Sequence, residues 1–185
     1  MNELWQLYDE QGRVLTLSAS KDEIHKKGLL HGAAHVWIWR VRDNNLEVLL
    51  QKRAGDKHTW PSLYDISAAG HIDVGEDPIT TALRETSEEI GIKINDKDLN
   101  LILVDRRILL APSGAIENEF CWVYTLRMDE HEKFTLEKSE VSSLRWKDFN
   151  EFKEEIFRDN QDQYVPQGLN YFKILISAIE GGEKK

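Results

Sequence analysis

The stretch RETSEEIG, residues 84–91, constrains the fold of this 185-residue chain more than any other. A helix is predicted around it from about Pro78 to Ile90. Asp77 is a competent N-cap, Pro78 suits the first turn, and Gly91 can end the helix. At about 100° per residue, Ile79, Leu83, the Thr86 methyl and Ile90 form an apolar stripe turned away from Glu85 and Glu88. Glu85, Glu88 and Glu89 stand at i, i+3 and i+4, where like charges repel. The helix thus has a side to bury and a separate acidic side. That acidic side is either plain solvated surface or the seat of a cation.

The segments around the helix read as strands and helices with hairpins between them. LWQLYDEQGRVLTLSAS reads as two strands about a turn at Glu10-Gln11-Gly12, and a polar, helix-like piece runs on to Lys27. AAHVWIWRV and LEVLLQKR flank a turn at Asp43-Asn44-Asn45 and have the branched and aromatic content of paired core strands. SLYDISAAGHI reads as one short strand ending in Gly70. Strands are expected near LNLILVDRRIL, NEFCWVYTLRM and VSSLRWKDF, and helices over WKDFNEFKEEIFRD and GLNYFKILISAIEG. The pattern predicts an α/β chain of the α+β type, with a mixed sheet sandwiched between helices and an N-terminal β-hairpin. One domain is expected over 1–185, with the hairpin at about 3–18 and a C-terminal helical cover at about 147–181. The hairpin is free to pack on its own domain or on a partner.

Composition excludes several classes. A net charge of −9 argues against binding to nucleic-acid backbones, but a divalent cation can still bridge acidic side chains to phosphate. The single cysteine, Cys121, permits neither an intramolecular disulfide nor a cysteine zinc cluster, and it reads as a core residue. The first residues lack the basic and apolar regions of a signal peptide, and no apolar run is long enough to span a bilayer. The expected setting is the cytoplasm, without a membrane or nucleic-acid partner.

Gly70, Glu76 and the run Arg84-Glu85-Thr86-Ser87-Glu88-Glu89-Ile90-Gly91-Ile92 together resemble the signature box of the Nudix hydrolases, here at residues 70–92. Thr86 stands where that box usually has an aliphatic residue. The resemblance implies a mixed sheet between helices and cleavage of a diphosphate linked to another group, dependent on Mg²⁺ or, as a substitute, Mn²⁺. Gly70, Glu85, Glu88 and Glu89 fall at metal-site positions, and Arg84 is expected to pair with Glu76 or Glu85. The chemistry agrees, because hard cations prefer carboxylate and phosphate oxygens.

Outside the box, RAGDKHTWPSLYDISAAGH, APSGAIENEFC and EVSSLRW resemble the type I isopentenyl-diphosphate isomerases, which share the Nudix fold. That resemblance implies a metal cluster of His25, His31, His71, Glu117 and Glu119, and substrate-diphosphate contacts from Arg53 and Lys57. Glu117 and Glu119 would form a second metal site with the histidines, complete the box site or position the attacking water, with Glu140 as a further carboxylate. Three departures point away from isomerisation. The family's proton-donating Cys is Ala69 here, and an assisting Tyr aligns with Arg107. The bacterial isomerases also carry Arg at the position of Glu85, where this chain has the full hydrolase set.

The reading is therefore a metal-dependent hydrolase of a small organic diphosphate, a nucleoside diphosphate derivative by default. It would be monomeric or homodimeric, with Glu85, Glu88, Glu89, Arg84 and Glu119 carrying the chemistry. The alternatives are an isopentenyl-diphosphate isomerase or a non-catalytic diphosphate-binding module.

Overall fold

The computed structural model describes residues 4–128, 133–158 and 161–183. A nine-stranded mixed sheet is built around β3 (His31–Arg42). Ten successive residues of β3, from His31 to Arg40, are buried, as expected of a strand covered on both faces. Along one edge β3 pairs in parallel with β8 (Ile116–Arg127). Along the other it pairs antiparallel with β6 (Ala68–His71) and then with β4 (Asn45–Arg53). β7 (Asn100–Leu110) extends the sheet beyond β8; β9 (Val141–Asp148) and the two-residue β5 (Tyr64–Asp65) pair with β4. The β3–β4 turn has Asp43 and Asn44 at φ 51° and 62°, the left-handed pair that a tight hairpin requires.

The two faces of β3 enter different layers. Ala34, Val36 and Ile38 pack with Ala82 and Ile90 of α2 (Pro78–Ile90). Ala33, Trp37 and Trp39 pack with Phe152 of α3 (Phe149–Phe157) and with Phe172, Leu175 and Ile179 of α4 (Leu169–Glu183). The sheet therefore lies between helices, with α3 and α4 packed on one face and α2 on the other.

The N-terminal hairpin, β1 (Leu4–Tyr8) and β2 (Val14–Ser20), packs on its own chain. Gln6 donates its backbone N–H to Ile72 O at 2.9 Å, and Trp5 and Leu7 share a small core with Ile24 of α1 (Lys21–Lys27). No helix among the described residues is long and apolar enough to cross a membrane.

Three local expectations need correction. SLYDISAAGHI forms two strands rather than one, because β5 pairs with β4 and β6 with β3. Trp146–Asp148 belongs to β9, and the helix begins at Phe149 with Asp148 as its N-cap, accepting from the backbone N–H groups of Asn150 and Glu151. On α2, Ile79 is 39% exposed, while Thr81, Ala82 and Glu89 join Thr86 and Ile90 on the buried side. Thr86 is tolerated there because its hydroxyl donates to Ala82 O at 2.7 Å.

Candidate active site

The boundaries of α2 put its acidic residues against β6. Asp77 caps the helix by accepting the Thr80 N–H at 2.7 Å, and Gly91 ends it at φ 77°. Gly70 of β6 faces Glu85 so closely that a Cβ at Gly70 would lie 1.9 Å from Glu85 Oε1. The missing side chain is the space that the Glu85 carboxylate fills. Glu89 is 5% exposed and accepts the Ala69 N–H at 3.0 Å. Burial, and then the charge of Glu85, push its carboxyl up to about 8.

Arg84 organises the rest of the acidic face. It donates to Glu76 through Nε and Nη2, both at 3.0 Å, and through Nη1 to Glu85 at 2.6 Å and Glu88 at 3.1 Å. Nη2 also reaches His71 O at 3.1 Å. The expected choice between Glu76 and Glu85 is resolved as both. Burial opposes ionisation of Glu76, but Arg84 and Thr81 outweigh it and hold the carboxyl below its usual range. Arg84→Met should take the guanidinium partner from the partly buried Glu76 and Glu85 and destabilise the protein by about 1–3 kcal/mol, read as a lower urea midpoint with an unchanged m-value.

The histidines meet beside this face. His25 comes from α1, His31 from the start of β3, and His71 from the end of β6, and one ring nitrogen of each lies within 4.8 Å of the others. His31 Nδ1 lies 2.9 Å from Leu29 O, and its Nε2 lies 3.5 Å from Glu119 Oε1. Nε2 of His25 is buried without a hydrogen-bond partner among the described residues. Burial and the neighbouring imidazoles hold His25 down to about 4 and His71 to about 3, so both rings are neutral at pH 7. The Trp5 indole stacks on His71 at 3.6 Å and 13° and covers the cluster.

Glu119 lies behind His71, opposite His31 in the β3–β8 register. It accepts His71 Nε2 at 3.2 Å and Arg107 through Nε at 3.0 Å and Nη2 at 2.8 Å. Burial raises its carboxyl, but Arg107 and the histidines overcome that and keep it ionised. Glu117, also buried, is pushed upward by burial and by Glu119. Cys121 is fully buried and donates to Glu119 at 3.3 Å, in keeping with a core residue.

A cavity of 670 Å³ is lined by Gly70, His71, His25, Arg84, Glu85, Glu88, Glu89, Arg53 and Lys57, with Glu140 on its rim. His31, Glu117 and Glu119 lie deeper. Lys57 is ion-paired with Glu140, and Arg53 is spent on Asp65 at 2.9 Å and Thr59 O at 3.0 Å. Arg53 therefore fastens the loop that carries Lys57. Two site residues were missed in the sequence, Trp5 and His35. His35 Nδ1 lies 3.0 Å from Tyr171 Oη, and Nε2 lies 3.4 Å from Arg107. Its only sequence signal is a polar residue inside an otherwise apolar strand.

The donors present fit a divalent cation. The orphaned ring nitrogen of the neutral His25, a carboxyl raised by burial and by the charge of Glu85, and a glycine cradle are the features a metal would resolve.

Comparison with known proteins agrees with this architecture. The NUDIX domain model matches residues 31–168. Nudix hydrolase 3 of Arabidopsis thaliana is 34% identical over 87% of this chain, which spans only 21% of that longer protein. An isopentenyl-diphosphate Delta-isomerase of Corynebacterium diphtheriae is 36% identical, with 78% of each chain covered. Among solved structures, a Deinococcus radiodurans protein superposes with a TM-score of 0.67 over 96% of this chain and 98% of its own, at 17% identity, a likeness of fold alone. With a matched domain over most of its length and that domain's acidic helix seated on β6, the chain belongs to the Nudix family.

Proposed function

We propose that the protein is a Nudix hydrolase that cleaves the diphosphate linkage of a small organic diphosphate, a nucleoside diphosphate derivative in the first instance, with Mg²⁺ or Mn²⁺. Nudix hydrolases act with divalent cations, and Glu85, Glu88 and Glu89 would hold one here. His25, His31, His71, Glu117 and Glu119 are candidates for a second. The observation that carries the reading is Glu85 seated in the Gly70 cradle beside the buried Glu89, whose carboxyl is raised by burial and by the charge of Glu85. A bound cation would supply neutralisation of the phosphate charge and a more acidic water.

The chain's own groups do the rest. Arg84 orients Glu85 and Glu88, so that their oxygens are fixed before substrate arrives. Lys57 puts a positive charge on the cavity wall, and substrate phosphate competes with Glu140 for it. Arg53 holds the Lys57 loop through Thr59. Arg107 keeps Glu119 ionised, so it can position a water or accept a proton from it. The net charge of −9 accords with a small phosphorylated substrate rather than a nucleic acid.

Isomerisation of isopentenyl diphosphate is the second reading, favoured by the histidine cluster with Glu119. Against it, Ala69 offers no proton, and Cys121 is buried and bonded to Glu119.

The decisive experiment measures phosphate or pyrophosphate release with Mg²⁺ and with Mn²⁺. The panel covers nucleoside di- and triphosphates, nucleotide sugars, dinucleoside polyphosphates and prenyl diphosphates. Metal-dependent turnover of one class is expected. Silence across the panel, with proton exchange on isopentenyl diphosphate, would replace the hydrolase with the isomerase.

A further inference from the structure

Behind the main cavity, beyond Ala69 and His71, lies a second chamber of 60 Å³. It has room for a few heavy atoms. Its walls include Ala33, Ile66 and Val165, yet three polar side chains on it are left incomplete. Arg107 Nη1, Trp60 Nε1 and Gln167 Oε1 are all buried, and none has a hydrogen-bond partner among the described residues.

The orientation of Gln167 is fixed, because its Nε2 donates to Asp65 Oδ1 at 3.2 Å. Its free atom is therefore the acceptor. The chamber thus offers two donors and one acceptor. Buried groups of this kind are ordinarily satisfied, and leaving them bare is costly. Both arginines on its wall already have carboxylate partners, Arg53 with Asp65 and Arg107 with Glu119, so no unpaired cation awaits a second anion. A hydroxyl answers this set, since it accepts from N–H groups and donates to a carbonyl. A hydrocarbon chain would leave all three groups without partners.

We infer that the chamber binds the non-phosphate end of the substrate and selects a small, uncharged, hydroxyl-bearing group, as in a sugar or polyol, over a prenyl chain. This rests on the diphosphate site described above and names the chemistry at its far end.

The test is equilibrium binding by calorimetry, with Mg²⁺ and non-hydrolysable methylenediphosphonate esters. One ester carries a four-carbon triol and the other a five-carbon alkenol. The wild-type protein is expected to favour the triol ester by about tenfold or more, because a site built for a hydroxyl rejects its absence strongly. Trp60→Phe and Gln167→Leu should each weaken the triol ester by several-fold and leave the alkenol ester unchanged. Equal affinities, a preference for the alkenol, absence of binding by both, or equal losses for both esters in the variants would overturn the inference. A triol preference in a protein that hydrolyses nothing would instead sink the hydrolase and leave the chamber's selectivity standing.

Discussion

Glu89→Gln should lower the hydrolysis rate by about 10²-fold or more, the scale of weakening an electrostatic stabiliser of the transition state, because a neutral amide is a poor replacement for a carboxylate that would hold the cation, while the fold survives. Glutamine keeps an oxygen for the Ala69 N–H and matches the shape of the buried side chain. The substitution also has a signature that needs no substrate. Because the folded carboxyl is raised to about 8 from an ordinary value of 4.5, its contribution to stability is complete below about 4.5 and lost as pH rises toward 8. The metal-free wild-type protein should therefore lose thermal stability over that window, and the Gln variant should lose less. At pH 8 the variant should melt higher without metal and gain less from added Mg²⁺. Wild-type turnover in this variant would remove the acidic helix from the mechanism. A pH–stability curve identical to that of wild type would show that Glu89 carries no strained charge.

Gly70→Ala should separate activity from folding in a different way. Gly70 is not among the residues with positive φ, so nothing in its backbone conformation requires glycine. What requires it is Glu85, whose Oε1, Cδ and Cγ would lie 1.9, 2.0 and 2.6 Å from a new Cβ. The Glu85 side chain can swing aside, and the sheet need not move. Its carboxylate then leaves the seat held by Arg84, and misplacement on the ångström scale costs about 10²-fold in rate. The expected result is a melting temperature close to wild type with the rate reduced to that degree and a weaker response to Mg²⁺. Full activity would mean that the carboxylate in the cradle is not used; unfolding would mean that β6 itself needs the gap.

Much of this architecture was legible beforehand. The limits of α2 follow from Asp77, Pro78 and Gly91, whose capping preferences are local. The acidic face was legible from the i, i+3, i+4 spacing, and the core strands from their branched and aromatic content. The errors were local too. Ile79 lies in the first turn and is exposed, so periodicity overstated its burial, while Thr81 is buried and Ala82 packs against Ala34, Val36 and Ile38 of the sheet. The partners of Arg53 were not legible either, because a charge at a strand end gives no hint of them; Asp65 and Thr59 reach it through pairing of β4 with β5 and a folded-back loop.

Trp5 over His71, His35 against Tyr171, and Arg107 on Glu119 belong to another class. Each pair joins elements whose adjacency depends on hairpin packing, on the docking of α4 against the sheet or on strand register, and no local spacing encodes it. The sequence by itself determined the helix, its caps, its two faces and the resemblance to the Nudix box, because those are written in contacts between residues a few positions apart. The resemblance implied that His25, His31 and His71 meet; only the tertiary structure decided that Trp5 covers them and that the chamber behind them is polar. The parallel register of β3 with β8 places Glu119 at His31, and the antiparallel register of β3 with β6 places His71 at Ala33. A one-residue slip in either would turn those side chains to the opposite face of the sheet.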